Sequence, residues 1–300
     1  MNNGLTFSII FDANSANFGE GLGNISELKK LTRDNKQYTF ISRQALRYDV
    51  FRMIDNKTEI SAPLSKSQGV IQFDPKANIK DHAEADLFGY MKTKKKDSQS
   101  GEKGGSDSRP AVVRFSPAIS LEPYHDDIEF AANHNFAKRS NENPDPFQLE
   151  THSSLYTYTV TIDLNRIGKD DKDGKVVISN KERIGRVNSV LDVIKVLNRE
   201  IKSRIESFNP VFIIGGIYPI KNPYFLGRVK LNKSKDGKPS IDTKILSSTA
   251  EPIKEDTMIG RVDGFFINDF EKEIQGITVL SIEDFFNKQK EKVKKYYESL

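Results

Sequence analysis

The chain has no cysteine and no tryptophan in its 300 residues. Without thiols there can be no disulfide and no thiolate-held metal, and a reducing, cytoplasmic setting is expected. No apolar run approaches the ~20 residues of a membrane-spanning helix. The opening MNNGLTFSIIFDANS has no basic stretch ahead of a long apolar core, so no secretory signal is expected either. Histidine is scarce: His82, His125, His134 and His152 are the only ones, and none stands at metal-ligand spacing from another. GEGLG, from Gly19 to Gly23, lacks the spacing of a nucleotide-phosphate loop. KDDKDG resembles the start of a calcium loop, but Lys169 and Asn180 occupy the first and twelfth ligand positions, where carboxylates are required. It reads as a hairpin turn. HExxH and GxSxG are absent, and no cofactor or metal is expected.

The hydrophobic share, 36%, is sufficient for a core in a chain of this length, which suits two domains or one with large insertions. LTFSIIF alternates, with Leu5, Phe7, Ile9 and Phe11 on one side, and predicts an opening strand. A polar, glycine-spaced loop follows, DANSANFGEGLGNIS. YTFISRQALRYDVFRMI then predicts a short extended piece and a helix, with Ser42 as N-cap and Leu46, Val50, Met53 and Ile54 as its buried stripe. Further on, LYTYTVTIDL places Tyr156, Tyr158, Val160 and Ile162 on one strand face and Thr157, Thr159 and Thr161 on the other. After the KDDKDG turn, VVIS predicts a short strand. RVNSVLDVIKVLNREIKSRIESF predicts one helix through Val187, Leu191, Ile194, Leu197, Ile201 and Ile205, and VFIIGGIY a buried strand. Hairpin-like pieces are expected from Tyr224 to Phe266, then a strand, ITVLSI, and a terminal helix, EDFFNKQKEKVKKYYESL. Strand, helix, strands, helix, strand is a split βαβ order of the ferredoxin-like type, in the α+β class. Residues 61–150 interrupt it and read as an insertion projecting from the core, with a mobile loop over 92–109.

Charge is distributed unevenly. Lys29, Lys30, Arg33, Lys36, Arg43, Arg47 and Arg52 share one segment with only Asp34 and Asp49. Two readings stand for that segment: a solvated basic face, or a phosphate partner. Arg43 and Arg47 are neighbours on the expected helix, and like charges at that spacing cost about 0.2–0.5 kcal/mol. At a helix N-terminus such a pair has the makings of a phosphate site, because orphan N–H groups and the helix dipole already favour an anion. Gln44 adds a donor, and Asn14, Asn17 and the glycines of the preceding loop would allow a close approach. A strand-one loop beside that helix would suit single-stranded nucleic acid. Alternatively, both arginines pair with acids elsewhere in the fold.

FDANSANFGEGLGNISELKKLTR, YTFISRQALRYDV, ADLFGYM and RFSPAISLEP, in this order, closely resemble the DevR family of CRISPR-associated proteins, in the RAMP superfamily. THSSLYTYTVTIDL and the helix near Arg186 also fit, so the resemblance spans most of the chain. It implies a modified ferredoxin-like or RRM core in a hand-like subunit. The expected parts are a palm from 1–60 plus 151–218, fingers from 61–150, a thumb-like hairpin region at 219–276, and a C-terminal strand and helix, 277–300, packed on the core. It also implies the function: the repeated, non-catalytic backbone subunit of a type I-B Cascade complex, polymerising along crRNA and presenting it to target DNA in antiviral defence. Specificity would then lie in base pairing, with the protein reading backbone and shape.

The partners implied are crRNA, target DNA through it, copies of the chain itself and other Cascade subunits, with no membrane. On this resemblance Ser42, Arg43, Gln44 and Arg47, with Asn14 and Asn17, are expected at the RNA backbone. Arg114 and Phe115 of RFSPAIS and Arg139 of FAKRS are further candidates, with a core role for Phe115 as the alternative. The aromatic signature of RNA-recognition motifs is missing, so stacking on the sheet is not expected. No motif assigns catalysis to Asp12 or Asp126. Two competing readings remain: an RNA-processing enzyme using His125 or His134, and a duplex-DNA autoregulator, for which no helix-turn-helix pattern is present.

Overall fold

The structure is a computed structural model that describes residues 3–19, 21, 23–67, 69–94, 105–232 and 237–300. Its main sheet is built from β1 (Gly4–Asn14), β2 (Lys30–Arg33), β3 (Lys36–Ile41), β4 (Val113–Phe115), β5 (Ala118–Ser120), β6 (Ser153–Asp163), β7 (Phe212–Tyr218), β8 (Thr257–Arg261) and β9 (Thr278–Ser281). The order is β9-β8-β7-β1-β6-β5-β3-β2, with β4 also paired to β6. Three helices lie on one face: α1 (Arg43–Thr58), α2 (Asn180–Lys195) and α3 (Ile282–Glu298). Both β4 and β1 run antiparallel to β6, so β1–α1–β4 is a parallel unit with β6 inserted into it. Likewise β6–α2–β7 is a parallel unit split by β1. This is the split βαβ arrangement expected from the sequence, in the α+β class.

Alternation sets the two layers. Leu5, Phe7, Ile9 and Phe11 join Tyr156, Tyr158, Val160 and Ile162 beneath Leu46, Val50 and Ile54 of α1, Val187, Leu191 and Ile194 of α2, and Phe285, Phe286 and Val293 of α3. Each such side chain, fully buried, stabilises the fold by about 1.5–3 kcal/mol. On the other face Ile10, Phe212 and Ile214 pack against Phe225, Val229, Leu246, Phe266 and Phe270. The Gly215–Gly216 pair lets β7 fit between its neighbours. A Cβ on Gly215 would lie 2.1 Å from the Thr6 carbonyl oxygen, and one on Gly216 1.9 Å from that of Asp256. Each long helix starts at a serine: Ser42 accepts from the Ala45 N–H, Ser179 forms a capping box with Glu182, and Ser281 accepts from the Asp284 N–H.

Several expectations are corrected. The helix expected to run through Ile201 and Ile205 stops at Lys195, and a hairpin follows, Asn198–Ile201 with Arg204–Ser207. Its turn residues, Lys202 and Ser203, both take positive φ, as a two-residue hairpin turn requires, and Ile205 finds no core, being 72% exposed. VVIS contributes only an isolated bridge from Val176 to Lys169. Residues 61–150 do not all project. Leu87, Phe88, Val112, Val113 and Ala118 belong to the main core, because β4 and β5 complete the sheet. The expected mobile loop is flanked by a strand pair, Tyr90–Lys94 with Gly105–Arg109, while 95–104 lie outside the described residues. The stretch expected as hairpin-like pieces holds one such antiparallel pair, Leu231–Asn232 with Ser240–Ile241, but also a helix, Thr243–Ala250, and β8. Asp242 caps that helix, and Leu246 and Ala250 bury against the sheet. At the C-terminus β9 pairs in parallel with β8, and α3 packs on α2.

A buried charge cluster ties the inserted segment to the core. Asp86 is fully buried on the short helix Ala83–Phe88. It accepts from Arg109 at 2.6 Å, from Arg186 of α2 at 2.7 Å and from the Gly168 N–H. The two guanidiniums spend further donors on the carbonyls of Arg166, Lys169, Ile79 and Lys80. Every member is satisfied, which a buried ionic group must be to persist.

Candidate nucleic-acid interface

Register decides which side chains reach the helix-free face of the sheet. Arg114 stands opposite Thr161 and Phe115 opposite Val160, so Arg114 shares the face of Thr157, Thr159 and Thr161, whereas Phe115 turns to the core. Phe115 packs on the main cluster, which corrects its candidacy as an RNA contact. On β3, Phe40 stands opposite Ile119, itself opposite Thr157, so Tyr38 also lies on the helix-free face. These residues floor a cavity of about 380 Å³ with Ser116, Thr157 and Thr159 below, Tyr38 and Arg33 at one side, and the segment Leu226–Leu231 with Lys230 as the far wall. A second cavity of about 520 Å³ continues from it, sharing Leu121 and Leu231 and lined by Asp12, Glu122, Ser153, Ser154 and Lys238.

The two halves differ in charge. At the Asp12 end, burial raises the Asp12 carboxyl above its ordinary range, and the carboxylates of Glu122 and Glu206 raise it further. The other cavity presents Arg33 and Lys230 against the single acid Asp34, with Arg114 on the same face of the sheet. A polyanion is favoured at that basic end. Hydroxyls on the floor and a tyrosine at the side supply neutral donors and one ring for contact.

The N-terminus of α1 adjoins this end. Ile41 stands opposite Ala118 in antiparallel register, so one further step brings Ser42 level with Pro117 of the cavity wall. α1 also packs against β4, which carries Arg114. Ser42 is committed to its cap. Arg43 and Gln44 are exposed, and Arg43 makes no ion pair among the described residues. Arg47 is partly accounted for: its guanidinium sits 5.2 Å from the centre of the Phe88 ring. Burial lowers its pKa, and the nearby Glu84 opposes that shift. Other members of the basic segment are spent within the fold, Lys30 on Glu150 at 2.5 Å and Arg52 on Glu200 and Asn198. The alternative that Arg43 and Arg47 pair with acids elsewhere therefore fails for Arg43 among the described residues, while Arg47 has Glu84 near it without an ion pair among those residues.

The loop after β1 is bound to the protein itself. Asn17 is buried and donates to the Phe40 carbonyl at 3.4 Å, so it fastens the loop to the strand entering α1 instead of facing a ligand. Gly21 is required by the turn, since a Cβ there would lie 2.6 Å from the Ile25 carbonyl oxygen. Asn14 is exposed at the end of β1, its backbone held by Glu206 and Arg204. Arg139 lies apart, on the short helix His134–Ser140, with its guanidinium over Phe136. His152 bonds Thr39, which also bonds the Tyr156 hydroxyl, and burial pushes that hydroxyl up to about 12. His125 and His134 are exposed. No group of three or more potential metal ligands occurs among the described residues, and no described helix is long and apolar enough to cross a membrane.

Tyr38 and Lys230 were not among the candidates read from sequence, and Arg33 was read only as a member of the basic segment. The threonine alternation of β6 announced a polar face, but the wall that makes it a cavity comes from Leu226–Leu231, remote in the chain.

Residues 5–230 match the family described as CRISPR-associated negative auto-regulator DevR/Csa2. A CRISPR-associated protein Cas7/Cst2/DevR of Myxococcus xanthus (strain DK1622) is 29% identical over 152 residues, which are 47% of this chain and 50% of that protein. The match thus spans about half the length of the curated relative. Among solved structures, a chain of a CRISPR RNA-guided surveillance complex in a pre-nicking state superposes with a TM-score of 0.62 at 10% identity, covering 95% of this chain and all of the other. A chain of another CRISPR RNA-guided surveillance complex gives 0.58 at 13% identity, over 95% and 99%. At such identities the likeness is one of fold.

Proposed function

The chain belongs to the DevR/Csa2 family of CRISPR-associated proteins, and from that premise we propose that it is a non-catalytic backbone subunit that grips a guide RNA. The observation that carries the reading is the basic lining of the groove, Arg33 and Lys230, with Arg114 on the same sheet face and the capped N-terminus of α1, carrying the exposed Arg43 and Gln44, level with Pro117 of the groove wall. Guanidinium forks and free helix N–H groups suit phosphate, and the hydroxyl floor suits a ribose–phosphate chain without reading bases. The superposition on chains of CRISPR RNA-guided surveillance complexes supports the same reading.

In this account copies of the chain line a crRNA in a type I-B Cascade complex in the cytoplasm. The exposed guide bases then pair with target DNA, so that sequence is read by pairing and not by the protein. The hand-like division into palm, fingers and thumb belongs to the same proposal. No catalytic step is assigned to the chain.

Fluorescence anisotropy with a single-stranded RNA at several salt concentrations tests it. The wild type is expected to weaken steeply with salt, and Arg43→Ala with Arg47→Ala to flatten the slope. Unchanged affinity and slope in that variant, with the fold intact, contradict the assignment.

A further inference from the structure

Two hairpins outside the main sheet, Leu64–Ser67 with Val70–Phe73 and Ile128–Ala132 with Pro146–Glu150, belong to the segment 61–150. A third, Asn198–Ile201 with Arg204–Ser207, follows α2, and its two strands form a sheet of their own. Only its root is packed. Leu197 and Phe208 flank it, both fully buried, with the Phe208 N–H donating to the Leu197 carbonyl at 2.7 Å and the Phe208 ring 4.7 Å from that of Phe11. Beyond the root the hairpin has no core, Ile205 being 72% exposed, so polar contacts decide where it lies.

Those contacts reach two elements of the candidate interface. Arg199 stands opposite Glu206 and Ile201 opposite Arg204, which puts these four side chains on one face. From it Arg199 donates to Asp49 of α1 at 2.9 Å. Arg52, about one turn further along α1, donates to Glu200 and to the Asn198 carbonyl. At the end of β1, Glu206 accepts from the Asn14 N–H at 3.1 Å, and Arg204 donates to the Asn14 carbonyl at 2.7 Å and the Ser15 carbonyl at 3.3 Å. One ion pair thus takes both backbone groups of Asn14, since Arg204 and Glu206 also meet at 2.8 Å.

Ser15 needs that hold. Its φ is 48°, a left-handed value that a residue with a side chain keeps only where its surroundings fix it. Past Ser15, the buried Asn17 fastens the loop to the Phe40 carbonyl, two residues before the Ser42 cap. The start of α1 is therefore held twice by the hairpin, directly at Asp49 and Arg52 and through the loop at Phe40. Glu206 is also placed where charge alone argues against it. It stands close enough to Asp12 to raise that carboxyl, and a further carboxylate repels a polyanion. What Glu206 supplies is an acceptor for Asn14.

We propose that this hairpin is a clasp, in which Arg199, Arg204 and Glu206 are positioning residues that set the loop after β1 and the start of α1 for RNA without touching it. Elements held before the ligand arrives need not be ordered on binding, and affinity gains accordingly. The inference rests on the RNA reading above, and its test separates the two. Hydrogen exchange on the full chain without RNA reads the clasp, and anisotropy with a single-stranded RNA reads its consequence.

In Glu206→Ala, the amides of 13–19 and 42–47 are expected to exchange about threefold faster or more, while those of α3 keep the wild-type rate. Arg199→Ala, which cuts the other arm, is expected to speed exchange over 42–52 and leave 13–19 unchanged. Glu206→Ala is also expected to bind RNA about threefold more weakly, although it carries one negative charge fewer. Glu206→Gln keeps an acceptor oxygen for Asn14 and is expected to restore both exchange and affinity. A purely electrostatic role gives the opposite sign, tighter binding in both Glu206 variants, and that result overturns the proposal. So does unchanged exchange in Glu206→Ala, or faster exchange with RNA affinity unchanged. A wild type that fails to bind RNA contradicts the RNA reading, and exchange in Glu206→Ala and Arg199→Ala then still decides whether the hairpin is a clasp.

Discussion

Two arginine clusters in this molecule differ in what surrounds them. Around Asp86, Arg109 is buried and Arg186 half-buried, and both guanidiniums donate to Asp86 and to backbone carbonyls. Along the groove and the start of α1, Arg33 and Arg43 are exposed, and Arg114 spends one donor on the Ala111 carbonyl. The side-chain chemistry is the same, but the first cluster holds the inserted segment to α2 while the second leaves charge facing solvent. Its lesson is that a tally of basic residues does not locate a ligand. A buried carboxylate among them absorbs the charge, and only cations that the fold leaves uncompensated remain for a partner.

The comparison breaks most sharply at Asp86. Asp86→Ala removes the buried acid that Arg109 and Arg186 share, leaving Arg109 only Asp171 at 3.2 Å, and should cost about 3–5 kcal/mol of stability, read by urea unfolding. The folded fraction should bind RNA with unchanged affinity, and an RNA defect at equal folding would mean that the two clusters are not separate. At the other pole, Arg43→Ala with Arg47→Ala should leave stability within about 0.5 kcal/mol. Its RNA affinity should fall by about tenfold, with the salt slope reduced by about 1.4 for two lost phosphate contacts on a single strand.

Asp49 lies between the two cases. It is buried on α1 and accepts from Arg199 at 2.9 Å, yet burial outweighs the arginine and raises its carboxyl from 3.8 to about 6. A carboxyl raised on folding favours the folded state when protonated. Its contribution is therefore full below pH 3.8 and is lost as pH climbs through about 6. Relative to Asp49→Asn, the wild type should lose about 1–3 kcal/mol of stability between pH 4 and pH 7. Parallel pH profiles for the two proteins would contradict this. The smallest effect is expected at Ser42. Ser42→Ala removes the cap of α1 at a cost of about 1 kcal/mol, read as a lowered unfolding midpoint.

The layered core was legible because alternation in β1 and β6 and the helical stripe of α1 each recur with one period. The single helix expected through Ile205 was not, since its apolar spacing continues past Lys195 and only the exposure of Ile205 and the positive φ at Lys202 and Ser203 reveal a hairpin. At the site, Arg43 was legible from its place one residue after the cap. Asn17 and Phe115 misled for opposite reasons: a loop asparagine turned inward to a carbonyl, and a strand phenylalanine took the core face while its neighbour Arg114 took the open one. Tyr38 and Lys230 became visible only when strands distant in sequence met across the sheet.

The central claim, that a guide RNA lies along the cationic end of the groove and the start of α1, is tested most directly by locating bound RNA. The full chain, bound to a single-stranded RNA carrying photoreactive uridines, would be irradiated, digested and mapped by mass spectrometry. The account predicts adducts on peptides that contain Tyr38, Ser42 to Arg47, Arg114 or Lys230. Adducts confined to the hairpins at Leu64–Phe73 and Ile128–Glu150, with those peptides clean, would contradict it.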